Sequence, residues 1–144
     1  LVEGKLEDYS MPQELMSIPI IESGYRNLPD SNNVGWGAGL WMLIKGTARN
    51  FGLRVDSIVD ERLDEELLTD AAMRLLTANK LRFKDWHLSV LAYYVGEGKV
   101  QKFIDKTGSR NPWTLVEAGI EEKRGYLANI VATTIIIKNP HLVQ

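Results

Sequence analysis

Few residues of this chain could do chemistry, and the shortage narrows the choice. There is no cysteine, which excludes disulfides, zinc thiolates and thiol nucleophiles. A Ser-His-Asp triad or a histidine-rich metal site would have to be built on His87 or His141, the two histidines present. His87 stands between Trp86 and Leu88 in a helical run and reads as a half-buried structural residue. His141 comes after Pro140 in a C-terminal tail, a poor place for a preorganised site. Carboxylates remain, and Glu22 stands out among them. Leu15, Ile18 and Ile21 or Glu22 recur at helical spacing, which sets the Glu22 carboxylate beside an apolar stripe. Unless a cation pairs with it, partial burial there disfavours the ionised form and raises the pKa, the condition a general acid needs near neutral pH. Arg26, four residues on, offers the plainer reading of a helix ion pair worth about 0.2–0.5 kcal/mol. Spacing alone leaves both readings open.

The element that must position Glu22 is predicted as a helix from Ser10 to Arg26. Ser10 with Gln13 three residues later has the form of a capping box, Pro12 fits the first turn, and Pro19 should kink or interrupt the run. Leu28 to Gly39, with Gly35, Gly37 and Gly39 alternating, is a loop. Its Gly-x-Gly-x-Gly is weak as a phosphate motif, since no strand precedes it and no Lys closes it; a tight loop packed on a helix is the alternative. Leu40 to Phe51 reads as a short helix or two turns stopped by Gly52. Asp60 to Asp64 supplies turn and capping residues for a strong helix carrying Leu67, Leu68, Ala71, Ala72, Leu75 and Leu76. Trp86 to Tyr94 is another helix, broken by Gly96-Glu97-Gly98 before an amphipathic turn with Val100, Phe103 and Ile104. Asn111-Pro112-Trp113 reads as a loop. The last helix is expected from near Glu117 through Tyr126 to about Ile137, although its β-branched end could also be a strand.

With 144 residues, 44% hydrophobic and 25% charged, the chain suffices for one compact, mainly α domain spanning residues 1–144. A net charge of −2, with 17 basic residues offset by 19 acidic ones, gives no reason to expect nucleic acid or a membrane surface as partner. The apolar run from Ile130 to Ile137 is too short to span a bilayer. Because the chain starts at Leu1 without a methionine or signal segment, it is expected to be a fragment of a longer precursor.

Several blocks occur in a telling order: Leu15 to Ser23 (LMSIPIIES), Gly37-Ala38-Gly39-Leu40-Trp41, Thr47 to Leu53 (TARNFGL), Leu91-Ala92-Tyr93 with Gly96-Glu97-Gly98, and Glu122 with Tyr126. In that order they resemble lytic transglycosylases, and more narrowly the soluble lytic transglycosylase (SLT) domain of the membrane-bound transglycosylase D type, a lysozyme-like fold related to goose-type lysozyme. The resemblance covers nearly the whole chain. It implies a peptidoglycan enzyme of the bacterial cell envelope, periplasmic or exported, that acts on glycan strands without a cofactor or metal and without membrane contact by this domain. Glu22 would be the single catalytic acid/base, with Ser23 a supporting hydrogen-bonding residue. The acid would protonate the oxygen between N-acetylmuramic acid and N-acetylglucosamine. As a carboxylate it would then take a proton from the sugar's own 6-hydroxyl, which closes on C1 to give a 1,6-anhydro end.

Further positions match one by one. Gly39, Leu40 and Trp41 correspond to a Gly-Leu-Trp block that shapes the cleft floor, although Trp41 could equally be plain core. Tyr93 corresponds to the Tyr of an Ala-Tyr-Asn block, Glu97 to a cleft-lining Glu, and Tyr126 to a Tyr whose hydroxyl approaches the acid. Met42 stands where the family has Gln and Tyr94 where it has Asn, so two amides expected to hold sugar groups are gone, and Tyr94 is expected to compensate by stacking on a sugar face. Lys45 replaces a common Pro and Lys123 a common Thr. The competing readings are a hydrolytic goose-type muramidase and a glycan-binding domain whose catalysis is weakened.

Overall fold

The computed structural model of the chain describes residues 1–33 and 35–143. Helices dominate: α1 (Val2–Asp8), α2 (Ser17–Ser23), α3 (Lys45–Asn50), α4 (Glu65–Phe83), α5 (Trp86–Val95), α6 (Glu97–Thr107), α7 (Pro112–Glu117) and α8 (Tyr126–Lys138). Three short 3-10 turns accompany them, at Gln13–Met16, Glu61–Leu63 and Pro140–Val143. Pairing of β type among the described residues amounts to two isolated bridges, Ala38 with Leu43 and Val55 with Asp60. The chain forms two compact units, Leu1–Arg74 with Thr133–Gln144, and Leu75–Ala132.

In the first unit, the predicted Ser10 to Arg26 helix is shorter and starts later. Ser10 has φ 53° and donates its N–H to the Glu7 carbonyl, so it closes the end of α1 and caps no helix start. Gln13 likewise turns away from the expected box, its amide donating to the Glu3 carbonyl at 3.2 Å. A 3-10 turn then leads into α2 at Ser17, which places Pro19 in the first helical turn. No intrahelical partner is needed by the N–H groups there, so the proline ends nothing. Gly24 in the left-handed conformation stops α2, its N–H donating to the Ile20 carbonyl at 3.0 Å.

The strong helix appears as expected and is capped as expected, since Asp64 Oδ1 accepts from the N–H groups of Glu66 and Leu67. Leu68, Ala71, Ala72, Met73 and Leu76 are buried on α4, whereas Leu67 is exposed.

The second unit is built on one apolar cluster: Phe83, Leu88, Leu91, Ala92, Val100, Leu115, Ile120 and Leu127. Asp85 caps α5 by accepting from Leu88 N at 2.8 Å. Gly96 alone separates α5 from α6, so Glu97 and Gly98 begin a helix and do not lie in a break. Asn111-Pro112-Trp113, expected as a loop, starts α7: Asn111 Oδ1 accepts from Trp113 N and Pro112 takes the first helical position. The last helix begins at Tyr126 and not near Glu117, because Gly119, Glu122, Lys123 and Gly125 all have positive φ. Its β-branched end is helical. His87 is exposed where a half-buried residue was expected, and His141 is exposed in the final 3-10 turn.

Candidate functional site

Glu22 lies in the last turn of α2, half-buried. Beside it, Ser23 is 2% exposed and acts as a joint. Its hydroxyl donates to the Leu40 carbonyl at 2.7 Å, lies 3.0 Å from the Pro19 carbonyl one turn back, and accepts from Arg26 N at 3.2 Å. The end of α2 is thereby fastened to the Gly39–Leu43 turn. Arg26 is beyond the helix, and its Nε donates to the Ser23 carbonyl at 3.1 Å, a cation satisfying the helix C-terminus. α2 stops at Ser23, so Glu22 and Arg26 do not share a helix.

The Gly39–Leu43 turn is fixed from several sides. Gly39 has φ 77°, and a Cβ there would fall 2.0 Å from the Arg62 carbonyl oxygen and 2.3 Å from a Leu68 methyl, so α4 and the Arg62 backbone occupy the space of any side chain. This is the tight packing of loop on helix that the glycines suggested. Met42 N donates to the Gly39 carbonyl at 3.2 Å, and Met42 itself has φ 51°. Leu40 and Trp41 are buried, and Trp41 Nε1 donates to Thr69 Oγ1 on α4 at 3.1 Å. With Trp41 wholly inside, it supports the turn from behind and offers no face to a ligand. Met42 is half-buried.

A residue that sequence reasoning missed holds this region together. Arg62 is 0% exposed, and its guanidinium donates to both carboxylate oxygens of Asp60 at 2.8 and 2.7 Å, to Asp30 Oδ2 at 3.0 Å and to the Leu43 carbonyl at 3.1 Å. Asp30 also takes the Lys45 ammonium at 2.9 Å. The Lys45 contact, with help from the Asn32 N–H and Arg62, holds the Asp30 carboxyl at about 2, and Arg62 holds Asp60 below the usual carboxylate range. A buried guanidinium is tolerable because its donors are matched. The one local signal was Asp60-x-Arg62; Asp30 lies 32 residues away, with no periodicity linking the two.

The other predicted site residues belong to the second unit. Tyr93 and Tyr94 are half-buried near the end of α5, and Tyr126, 6% exposed, opens α8. Tyr94 does not await a sugar on both faces: its ring stacks on Tyr126 with centroids 4.1 Å apart and planes within 7°. Arg124 Nη1 donates to the Tyr94 hydroxyl at 3.3 Å. The start of α8 is set by Glu121, buried, whose Oε2 accepts from Leu127 N at 2.6 Å. Glu97 begins α6 in solvent and pairs with Arg82 at 3.5 Å, an exposed contact of little worth.

Among the described residues no cluster of His, Cys, Asp and Glu could hold a metal ion, and no helix is long and apolar enough to cross a membrane.

The family model described as the transglycosylase SLT domain matches residues 3–116. Membrane-bound lytic murein transglycosylase D of Escherichia coli (strain K12) is 34% identical over 143 residues, covering 96% of this chain and 31% of the relative. The protein of the same name from Escherichia coli O6:H1 matches to the same extent. The chain thus spans about a third of the length of these curated relatives. An inactive mutant of the lytic transglycosylase Slt from Pseudomonas aeruginosa has the same fold, with a TM-score of 0.71 and 21% identity over 98% of this chain and 24% of that one. Matched over most of its length by the family model and over nearly all of it by these relatives, the chain belongs to the transglycosylase SLT domain family.

Proposed function

We propose that residues 1–144 are the catalytic domain of a peptidoglycan lytic transglycosylase, cleaving the β-1,4 bond between N-acetylmuramic acid and N-acetylglucosamine without water and leaving 1,6-anhydro ends. The observation that carries this reading is the 34% identity over 96% of the chain to a murein transglycosylase. The fastening of Glu22's helix to the Gly-Leu-Trp turn through Ser23 and Leu40 supports it. Glu22 is the acid that protonates the leaving oxygen as the C1–O bond breaks. The substrate's own N-acetyl group meets the charge developing at C1. Glu22, now a carboxylate, removes the proton of the 6-hydroxyl, whose oxygen bonds to C1. One carboxylate serving in both steps needs shelter from water, which the half-buried end of α2 offers. A hydrolytic glycosidase would instead use two carboxylates about 5–5.5 or 6.5–9.5 Å apart.

Tyr126 is carried in this reading as a supporting residue, by family resemblance. Tyr93, Tyr94, Glu97, Met42 and the Gly39–Trp41 block are carried in the same way as substrate-binding or supporting residues. The domain works in the bacterial cell envelope, periplasmic or exported, as part of a longer protein.

Mass analysis of fragments released from purified sacculi tests the proposal. The parent should release 1,6-anhydromuropeptides, and Glu22→Gln should lower the rate by a thousandfold or more while leaving stability nearly unchanged, since the amide keeps the shape of the acid. A Glu22→Gln protein that cleaves near the parent rate refutes the assignment. Reducing ends would mean a hydrolase, and glycan binding without release would mean a binding domain.

A further inference from the structure

The Gly-x-Gly-x-Gly loop carries a feature that the proposed chemistry leaves unused. Gly37 is buried against the neighbouring turn so tightly that a Cβ would fall 1.8 Å from the Met42 carbonyl oxygen. With Gly37 wedged inward, Trp36 is left outside: its side chain is the most open of the four tryptophans, at 61% exposed. Its backbone N–H donates to the Asn33 carbonyl at 3.1 Å. Lone exposed apolar residues are ordinary on a protein surface, but this one is not alone. Trp36 and Ile44, the latter 43% exposed, line one cavity of about 290 Å³ together with Asp30, Asn32, Asn33 and Lys45.

The chemistry of that lining selects among ligands. Charge is balanced within the group, because Asp30 pairs with both Lys45 and Arg62 while Arg62 also pairs with Asp60, two carboxylates for two cations. Among the described residues, the cavity therefore has no spare cation for a phosphate or carboxylate. It presents an indole and an aliphatic side chain beside two side-chain amides and a paired ammonium and carboxylate. A hexosamine ring has the matching form: a flat face of C–H groups that covers an indole, and a rim of hydroxyl and amide groups that exchange hydrogen bonds with Asn and Asp side chains. At about 290 Å³ the cavity lies just below the volume range for small-ligand clefts, about 300–1,000 Å³, a size that suits one such ring and no more.

The geometry points to a neutral N-acetylhexosamine subsite centred on Trp36, with Ile44 beside it and the Asn32 and Asn33 amides at its rim. The inference rests on the glycan reading of the chain, and it adds a binding position that depends on a residue outside every block carrying the family resemblance.

Calorimetric titration with the trimer of N-acetylglucosamine tests it in the parent and in Trp36→Ala and Trp36→Phe proteins, with release of fragments from sacculi measured alongside. Trp36→Ala should weaken trimer binding by tenfold or more, Trp36→Phe by no more than a few-fold, and both should unfold at the parent's temperature, since the side chain is mostly in solvent. In turnover, Trp36→Ala should raise KM and leave kcat near the parent value. Trimer binding that is equal in parent and Trp36→Ala overturns the subsite, as does a parent that binds no trimer. If fragment release is intact and Glu22-dependent while trimer binding ignores Trp36, the subsite fails and the transglycosylase reading stands. Trp36-dependent trimer binding without any release supports the subsite and removes the catalytic reading.

Discussion

Ser23→Ala and Ser17→Ala are the same substitution at the same depth in the same helix, and the structure predicts opposite outcomes for them. Both serines are buried on α2, at 2% and 1% exposure. Ser23 Oγ donates to Leu40 O, lies near Pro19 O and accepts from Arg26 N, whereas Ser17 Oγ is buried with no hydrogen-bond partner among the described atoms. Removing the Ser23 hydroxyl leaves the Leu40 carbonyl facing a methyl group in a place water does not reach, at a cost of about 1–3 kcal/mol. Arg26 N is partly open and can turn to water, which adds about 0–1 kcal/mol. The total is about 1–4 kcal/mol. Removing the Ser17 hydroxyl should be neutral or slightly stabilising, because a buried polar atom without a partner is a liability. Urea unfolding of the three proteins reads the difference directly, as a shifted midpoint at constant slope. At about 2–4 °C per kcal/mol for a chain of this size, Ser23→Ala should also melt several degrees below Ser17→Ala. Because Ser23 joins the Glu22 helix to the Gly39–Leu43 turn, its loss should lower kcat more than it raises KM. Equal stability of the two variants would refute the reasoning, since burial alone would then decide and the Leu40 bond would contribute nothing.

The other expectations are shorter. Gly39→Ala must leave a left-handed conformation or push Arg62 and Leu68 aside, so it should cost about 3–5 kcal/mol by chemical unfolding; a loss under 1 kcal/mol would mean the turn is not packed as described. Asp30 is held at about 2, well below its unfolded value near 3.9, so its contribution is fully present above about pH 4 and is lost as pH falls toward 2. The acid-induced fall in urea midpoint should be less steep in Asp30→Asn, and an unchanged slope would contradict this. Tyr94→Asn should cost about 1.5–3 kcal/mol by removing the Tyr126 stack and its buried area, and should slow glycan release; a faster and equally stable protein would show that the stack is incidental.

The legible parts of this chain were those whose causes are local. Asp64 before an apolar helical pattern announced α4, and the structure caps it as the spacing implied. Asn111-Pro112 carried an equally local signal, a cap with proline at the first helical position, and reading it as a loop gave the proline too much weight as a breaker. Positions set by distant contacts were silent. Ser10, Glu122 and Lys123 adopt positive φ with no glycine to announce it, which is why α1 ends, and α8 begins, where no pattern marks a boundary. Arg62 reads as one more charge in an acidic turn until Asp30 and the Leu43 carbonyl arrive from elsewhere in the chain. For the candidate site, residue types could be singled out and their bonding partners could not. Glu22 and Ser23 could be picked out, but the Leu40 carbonyl is a backbone atom that leaves no trace in residue spacing.

The two departures from the family pattern, which look alike in sequence, differ in kind once the contacts are known. Met42 sits in a backbone conformation fixed by its neighbours: its N–H is bonded to Gly39, its carbonyl abuts Gly37, and Arg62 holds the next carbonyl. None of those contacts uses the thioether. A side chain at this position is delivered to the same place whatever its chemistry, so the exchange of an amide for a thioether alters what that side chain can bond to and leaves the scaffold alone. Tyr94 is the reverse case. Its ring is packed on Tyr126 and its hydroxyl is held by Arg124, so the residue has become part of what positions Tyr126. Restoring an amide at position 42 would therefore probe recognition alone. Restoring one at position 94 would withdraw a support, and any change in activity there has to be read against the stability lost with it.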